Sequence, residues 1–129
     1  MAHRKKIAYF DGTDPALLTT LICNGCDTVP VSNGRDNHGP HVRLINDQNR
    51  FDLLLAPLYK IVAPEEREPT DATYQDVFHL CRTYSIPMLV AVPAALCEEA
   101  TAIVGELPPS VQMVDPSEMG RVALEVLAD

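Results

Sequence analysis

Two runs, Asp52-Leu-Leu-Leu-Ala56 and Pro87-Met-Leu-Val-Ala-Val92, carry apolar side chains at successive positions with no alternation. A strand with one wet face alternates apolar and polar residues, so an unbroken run of strand length is dry on both faces. Sheets covered on both faces are parallel sheets, because a parallel connection must cross over and lays a helix on the sheet as it does so. These two segments set the class of the chain as α/β before any other residue is considered.

The remaining segments extend the pattern. Lys6 to Phe10 reads as a buried strand, Thr28 to Val31 as a second, and Val111 to Val114 as a fifth. Asp14-Pro15 opens a helix, with Asp accepting backbone N–H bonds and Pro occupying a position that needs no donor. Leu17, Leu18, Leu21 and Ile22 follow at helical spacing, and Gly25 ends the helix. A helix carrying Val42, Leu44 and Ile45 is expected after Pro40, and another, capped by Thr70, carries Tyr74, Val77, Phe78 and Cys81. Residues 94–106 read as helical, and Asp115-Pro116-Ser-Glu118 opens a last helix bearing Met119, Val122, Ala123, Val126 and Leu127. Five strands alternating with five helices predict a doubly wound parallel sheet. Pro30 has no N–H, which assigns the second strand to a sheet edge. An edge position there favours the flavodoxin-like three-layer sandwich with strand order 2-1-3-4-5. Residues 1–129 are expected to form one domain, with 1–5 as a frayed N-terminus and Ala63 to Thr70 as the loosest stretch.

Ten Lys and Arg against eighteen Asp and Glu give a formal charge of −8. An acidic surface repels phosphate backbones and anionic lipid, which argues against nucleic acid and membrane as partners. No apolar stretch approaches the ~20 residues of a spanning helix, and the apolar run at Ile7 to Phe10 is too short for a signal-peptide core. The expected location is the cytoplasm, with the four cysteines as thiols.

In a sheet of this order, ligands approach the C-terminal ends of strands one and three. Asp11 and Asp14 follow strand one, Leu58, Tyr59 and Lys60 follow strand three, Pro93 follows strand four, and Asp115 follows strand five. Asp11, Asp14, Tyr59, Lys60 and Asp115 are therefore the candidate ligand-binding residues. Their carboxylates are of the type that holds Mg²⁺. Asp14 and Asp115 each precede a Pro at a helix start, where capping accounts for them, whereas Asp11 has no capping role. No Gly-rich phosphate loop, dinucleotide fingerprint or Gly-x-Ser-x-Gly elbow occurs, so no cofactor beyond Mg²⁺ is implied.

Cys23-Asn-Gly-Cys26 and His38-Gly-Pro-His41 have the spacing of zinc ligands. The α/β reading nevertheless sets the two pairs at opposite ends of strand two, roughly 16 Å apart at ~3.3 Å per residue. Bonds of about 2.0–2.3 Å to zinc do not span that gap, and no metal site is expected there. The cysteine pair also sits at a helix C-terminus, where the dipole disfavours a reactive thiolate.

Over nearly its whole length the chain resembles a response-regulator receiver domain. Ile7 to Asp11 with Asp14-Pro15-Ala-Leu-Leu18 looks like the receiver's acidic strand end and first helix. Val31-Ser-Asn-Gly34, Phe51-Asp52-Leu-Leu-Leu55 and Ile86-Pro87-Met-Leu-Val90 look like its second turn, third strand and fourth strand, and Asp115-Pro116 stands at its Lys-Pro element. A receiver is phosphorylated on an Asp ending strand three, where this chain has Ala56 and Pro57. The family's Ser or Thr falls near Val92-Pro93, and its Lys is replaced by Asp115. The resemblance implies a degenerate receiver that takes no phosphoryl group and works with a protein partner or as a homodimer. A shorter segment, Glu68-Pro-Thr-Asp-Ala-Thr73-Tyr-Gln-Asp76, resembles the active-site segment of nucleoside deoxyribosyltransferases. That alternative makes Asp76 a glycosyl-accepting nucleophile in place of the family's Glu.

Overall fold

The computed structural model describes residues 4–46, 48–49, 51–62 and 72–128. Five parallel strands form one sheet: β1 Lys6–Tyr9, β2 Asp27–Pro30, β3 Leu53–Pro57, β4 Met88–Ala91 and β5 Val111–Val114. They lie in the order β2-β1-β3-β4-β5, the flavodoxin-like order expected from Pro30. β2 is an edge strand, with Pro30 opposite Tyr9 at the end of its ladder. Among the described residues four α-helices cover the sheet: α1 Pro15–Cys23, α2 Tyr74–Tyr84, α3 Cys97–Val104 and α4 Met119–Leu127.

The unalternating runs do what their composition requires. In β3, Leu53 and Leu55 pack with Leu17 and Leu21 of α1 and with Met119 and Ala123 of α4. Leu54 and Ala56 pack on the other face with Val77, Phe78 and Cys81 of α2 and Ala100 and Val104 of α3. Leu53, Leu54 and Leu55 have no exposed surface at all. At about 25 cal/mol per Å² of apolar surface, this two-sided burial is the main source of the fold's stability.

Capping fixes where the helices begin. Asp14 accepts from Ala16 N at 2.9 Å at the head of α1. Thr73, not Thr70, is the N-cap of α2, and Asp76 reaches back to Thr73 N at 2.9 Å to complete a capping box. Thr70 lies outside the described residues, as do residues 1–3 of the expected frayed terminus and residues 63–71.

The helix expected around Val42 is a single 3₁₀ turn, Val42–Leu44. Its two sides explain why it goes no further. Asn46 accepts from Gln48 N and Asn49 N, a local turn that competes with helix propagation. Upstream, Ser32 pairs with His41 in an isolated parallel bridge, which closes residues 33–40 into a compact loop. Val31, Val42 and Ile45 still enter the core, so the crossover keeps its apolar contacts with only the 3₁₀ turn among its described residues. Among the described residues no helix is long and apolar enough to cross a membrane.

This loop approaches the edge strand so closely that only glycine fits at position 39: a Cβ there would overlap the Pro30 carbonyl oxygen. Gly39→Ala is expected to lower stability by about 1–3 kcal/mol, the usual cost of overpacking. Urea unfolding would check this through a reduced midpoint at unchanged slope.

Candidate functional site

The C-terminal edge of the sheet gathers the candidate residues, but in three separate places. At the first, β3 runs directly into a 3₁₀ turn, Leu58–Lys60, that turns the Lys60 side chain back toward the β1 and β2 ends. Its ammonium lies 3.0 Å from Asp36 Oδ2 and 3.5 Å from Asp11 Oδ2. Lys60 and Asp36 are mostly sheltered, with side chains 16% and 19% exposed, while Asp11 is 56% exposed. His38 Nε2 stands 3.9 Å from Asp11 Oδ1. Its other nitrogen, Nδ1, lies 3.1 Å from the Val31 carbonyl, which can only accept, so Nδ1 carries the hydrogen. The imidazole meets the Tyr9 ring edge-on, with centroids 5.1 Å apart.

Backbone groups tie this cluster down. Asn33, 1% exposed, donates through Nδ2 to Lys60 O at 3.0 Å and accepts from Arg35 N at 2.8 Å. Arg35 Nη2 donates to the same Lys60 carbonyl. Ser32 Oγ accepts from Gly34 N and donates to Asp36 O, and Asp36 Oδ1 accepts from His38 N. Ala72 N donates to Asn33 O at 2.7 Å, so the chain leading into α2 is fastened to the same loop.

The charges respond to this setting. Burial alone would raise the Asp36 carboxyl, but hydrogen bonds from Lys60, His38 N–H and Ser32, with the ammonium's charge, hold it below the ordinary carboxylate value. The hydrogen bond to Asp36 pushes Lys60 above the ordinary lysine value against the opposing effect of burial, with the Asp36 and Asp11 charges adding to the rise.

The second place is the head of α1, where Asp14 caps the helix. Beside it Gly12, at φ +90°, leaves room for the Tyr59 phenol, which a Cβ at that position would overlap. Tyr59 itself is 64% exposed. The third place is Asp115, which accepts from Ser117 N and Ser117 Oγ through Oδ1 and from Ala94 N through Oδ2. Those three bonds, led by the one from Ala94, lower its carboxyl below the ordinary value and link the turns that follow β4 and β5.

Asp11 and Lys60 thus come together, and Asp14 and Asp115 stand apart from them and from each other as caps. Among the described residues no three His, Cys, Asp or Glu side chains are grouped as ligands for a metal ion. Asp11, the carboxylate best placed for Mg²⁺, faces the Lys60 ammonium, which competes with a cation for the same oxygens. Cys26 immediately precedes β2, whereas His38 sits past its far end, so the strand separates the cysteine pair from the histidine pair. Cys81 is buried in the core, and that burial pushes its thiol up to about 12, far from a reactive thiolate. Asp76 bonds Thr73 N and Thr73 Oγ1 and pairs with Arg43 Nη2 at 3.1 Å. Burial opposes its ionisation, and the Thr73 N–H and Arg43 outweigh it and keep the carboxyl low.

The sequence places His38 past the end of strand two, but it does not join Asn33, Asp36 or His38 to Asp11 and Lys60 as site residues. The signal was present in Asn33-Gly34 and in the density of turn formers through Pro40, which marked a loop after strand two. What it lacked was the direction of that loop, which folds across β1 toward the exit of β3.

No protein-family model matches the chain, and no curated protein matches it either.

Removing the ammonium tests the cluster. Lys60→Met is expected to cost about 2 kcal/mol at neutral pH, the range for hydrogen bonds to charged groups. The sign with pH is fixed by the two shifts. The lowered Asp36 carboxyl stabilises the fold above the ordinary carboxylate range and ceases to do so as pH falls through its native value. The raised Lys60 stabilises below the ordinary lysine range and ceases to do so as pH climbs through its native value. The deficit of the variant against the wild type should be full between about pH 5 and pH 10 and shrink on either side, as read from urea midpoints.

Proposed function

We propose that this chain is a receiver-like regulatory module that carries no phosphoryl group and acts through contact with a protein, in the cytoplasm. The observation that carries the reading is the end of β3, where Ala56 and Pro57 stand at the rim. Neither side chain has an oxygen to accept a phosphoryl group, and Asp11, the carboxylate that follows β1, is paired with Lys60. The position at which a receiver holds its Lys is Asp115, whose oxygens are engaged by backbone and hydroxyl donors.

Contact has a surface to use. Leu96 and Ile103, each about half exposed at 52% and 51%, border a groove along α3 floored by Leu58, Val92 and Ala100. Large apolar side chains grouped around one groove favour a protein-contact role over a solvated face. The competing use of Asp76 as a glycosyl-accepting nucleophile requires its carboxylate to leave Thr73 and Arg43, at the expense of the α2 cap.

Two measurements test the reading. Acetyl phosphate with Mg²⁺ should leave the intact mass unchanged; a phosphoryl adduct on any Asp contradicts it. A benzophenone side chain at Ile103 should yield a discrete crosslinked product in cells, absent when Leu96→Asp is added. The same probe at Thr19, on α1, should give none. Equal products from both positions, or base release from a nucleoside that Asp76→Ala abolishes, would replace the reading.

A further inference from the structure

Between the heads of α1 and α4, at the C-terminal ends of β1, β3 and β4, the rim holds a cavity of about 200 Å³. Leu17, Ala91, Pro116 and Met119 give it apolar walls, the Gly12-Thr13 backbone forms one lip, and Asp14 is the one charged residue in its lining. It lies where an open α/β sheet receives its ligands.

The lining selects the chemistry of the occupant. A dry cavity of about 150 Å³ holds a benzene ring, so this one accommodates a single ring or a branched alkyl group with a short arm. An anion finds no welcome. The two helical segments that begin at the mouth start with Pro15 and Pro116, which have no N–H, and Asp14 and Asp115 already accept from Ala16 N and Ser117 N. Lys60 is held by Asp36 and Asp11. A cation finds a partner. Asp14 caps α1 through Oδ1 alone, and among the described residues its Oδ2 has no hydrogen-bond or ion-pair partner. We propose that this cavity binds a small primary amine, its apolar body against Leu17 and Met119 and its ammonium on Asp14.

Because Asp14 is exposed, the apolar contacts supply most of the affinity and the carboxylate supplies the discrimination. The probe is phenethylamine, compared with phenethyl alcohol and phenylacetate, titrated into the full isotope-labelled chain. The amides of Gly12, Thr13, Ala91 and Met119 should shift with the amine. It should bind roughly two- to fivefold more tightly than the alcohol, as one exposed ion pair allows. Phenylacetate should bind more weakly than either. Asp14→Asn keeps a capping side chain and should bring the amine to the level of the alcohol. Ala91→Leu should fill the cavity and abolish binding of both. Should Ala91→Leu fail to fold, the amine-to-alcohol ratio in Asp14→Asn decides alone. Shifts confined to other residues, no shift at all, phenylacetate binding as tight as the amine, or an unchanged ratio in Asp14→Asn would each overturn the assignment.

Discussion

An irregular crossover cannot lie against a dry sheet unless its own backbone groups find partners. Here the described residues of the connection from β2 to β3 form one 3₁₀ turn, Val42–Leu44, and meet that demand at the exit of β3. Asn33 and Arg35 take the Lys60 carbonyl, Ser32 and Asp36 satisfy the turn between them, and the Lys60 ammonium closes the arrangement on Asp36. The same contacts that hold the loop also occupy the charged groups a reader of this fold would first suspect of chemistry. Structure and apparent site are one network.

The rim that results is divided by type. Its polar part, around Lys60, is internally paired and sheltered on the β2 side. Its apolar part lies on the other side of Gly12, as the cavity that Leu17 and Met119 wall. Farther along, Leu96, just before α3, and Ile103 of α3 are exposed. Ala91, at the end of β4, lines both the cavity and the α3 groove. The proposed contact role and the proposed small-ligand role thus fall on neighbouring surfaces of one sheet edge without sharing the charged cluster.

The sheet was legible because its signals are local and strong. Leucines at three successive positions of β3 leave no wet face, and Pro30 at the end of β2 places that strand at an edge by the absence of a single donor. The caps at Asp14 and Asp115 were equally readable, since Asp before Pro has one common use. The crossover was not, because Val42, Leu44 and Ile45 have helical spacing while the side-chain turns at Asn46 and the bridge from Ser32 to His41 act against it. Asp36 and His38 were not joined to Asp11 and Lys60 for a related reason: a loop's composition says that it turns, and only tertiary contacts say toward what. The helix start at Thr73 was displaced from Thr70 because the reciprocal bonds with Asp76 fit a spacing of three.

The claim that the rim charges are engaged with one another is tested most directly by the side-chain carboxyl of Asp36, followed by carbon NMR through an acid titration. It should titrate below the ordinary aspartate value in the wild type and move upward in Lys60→Met. A midpoint at or above the ordinary value, unmoved by the substitution, would show that the ammonium does not hold it, and the network on which this account rests would fall.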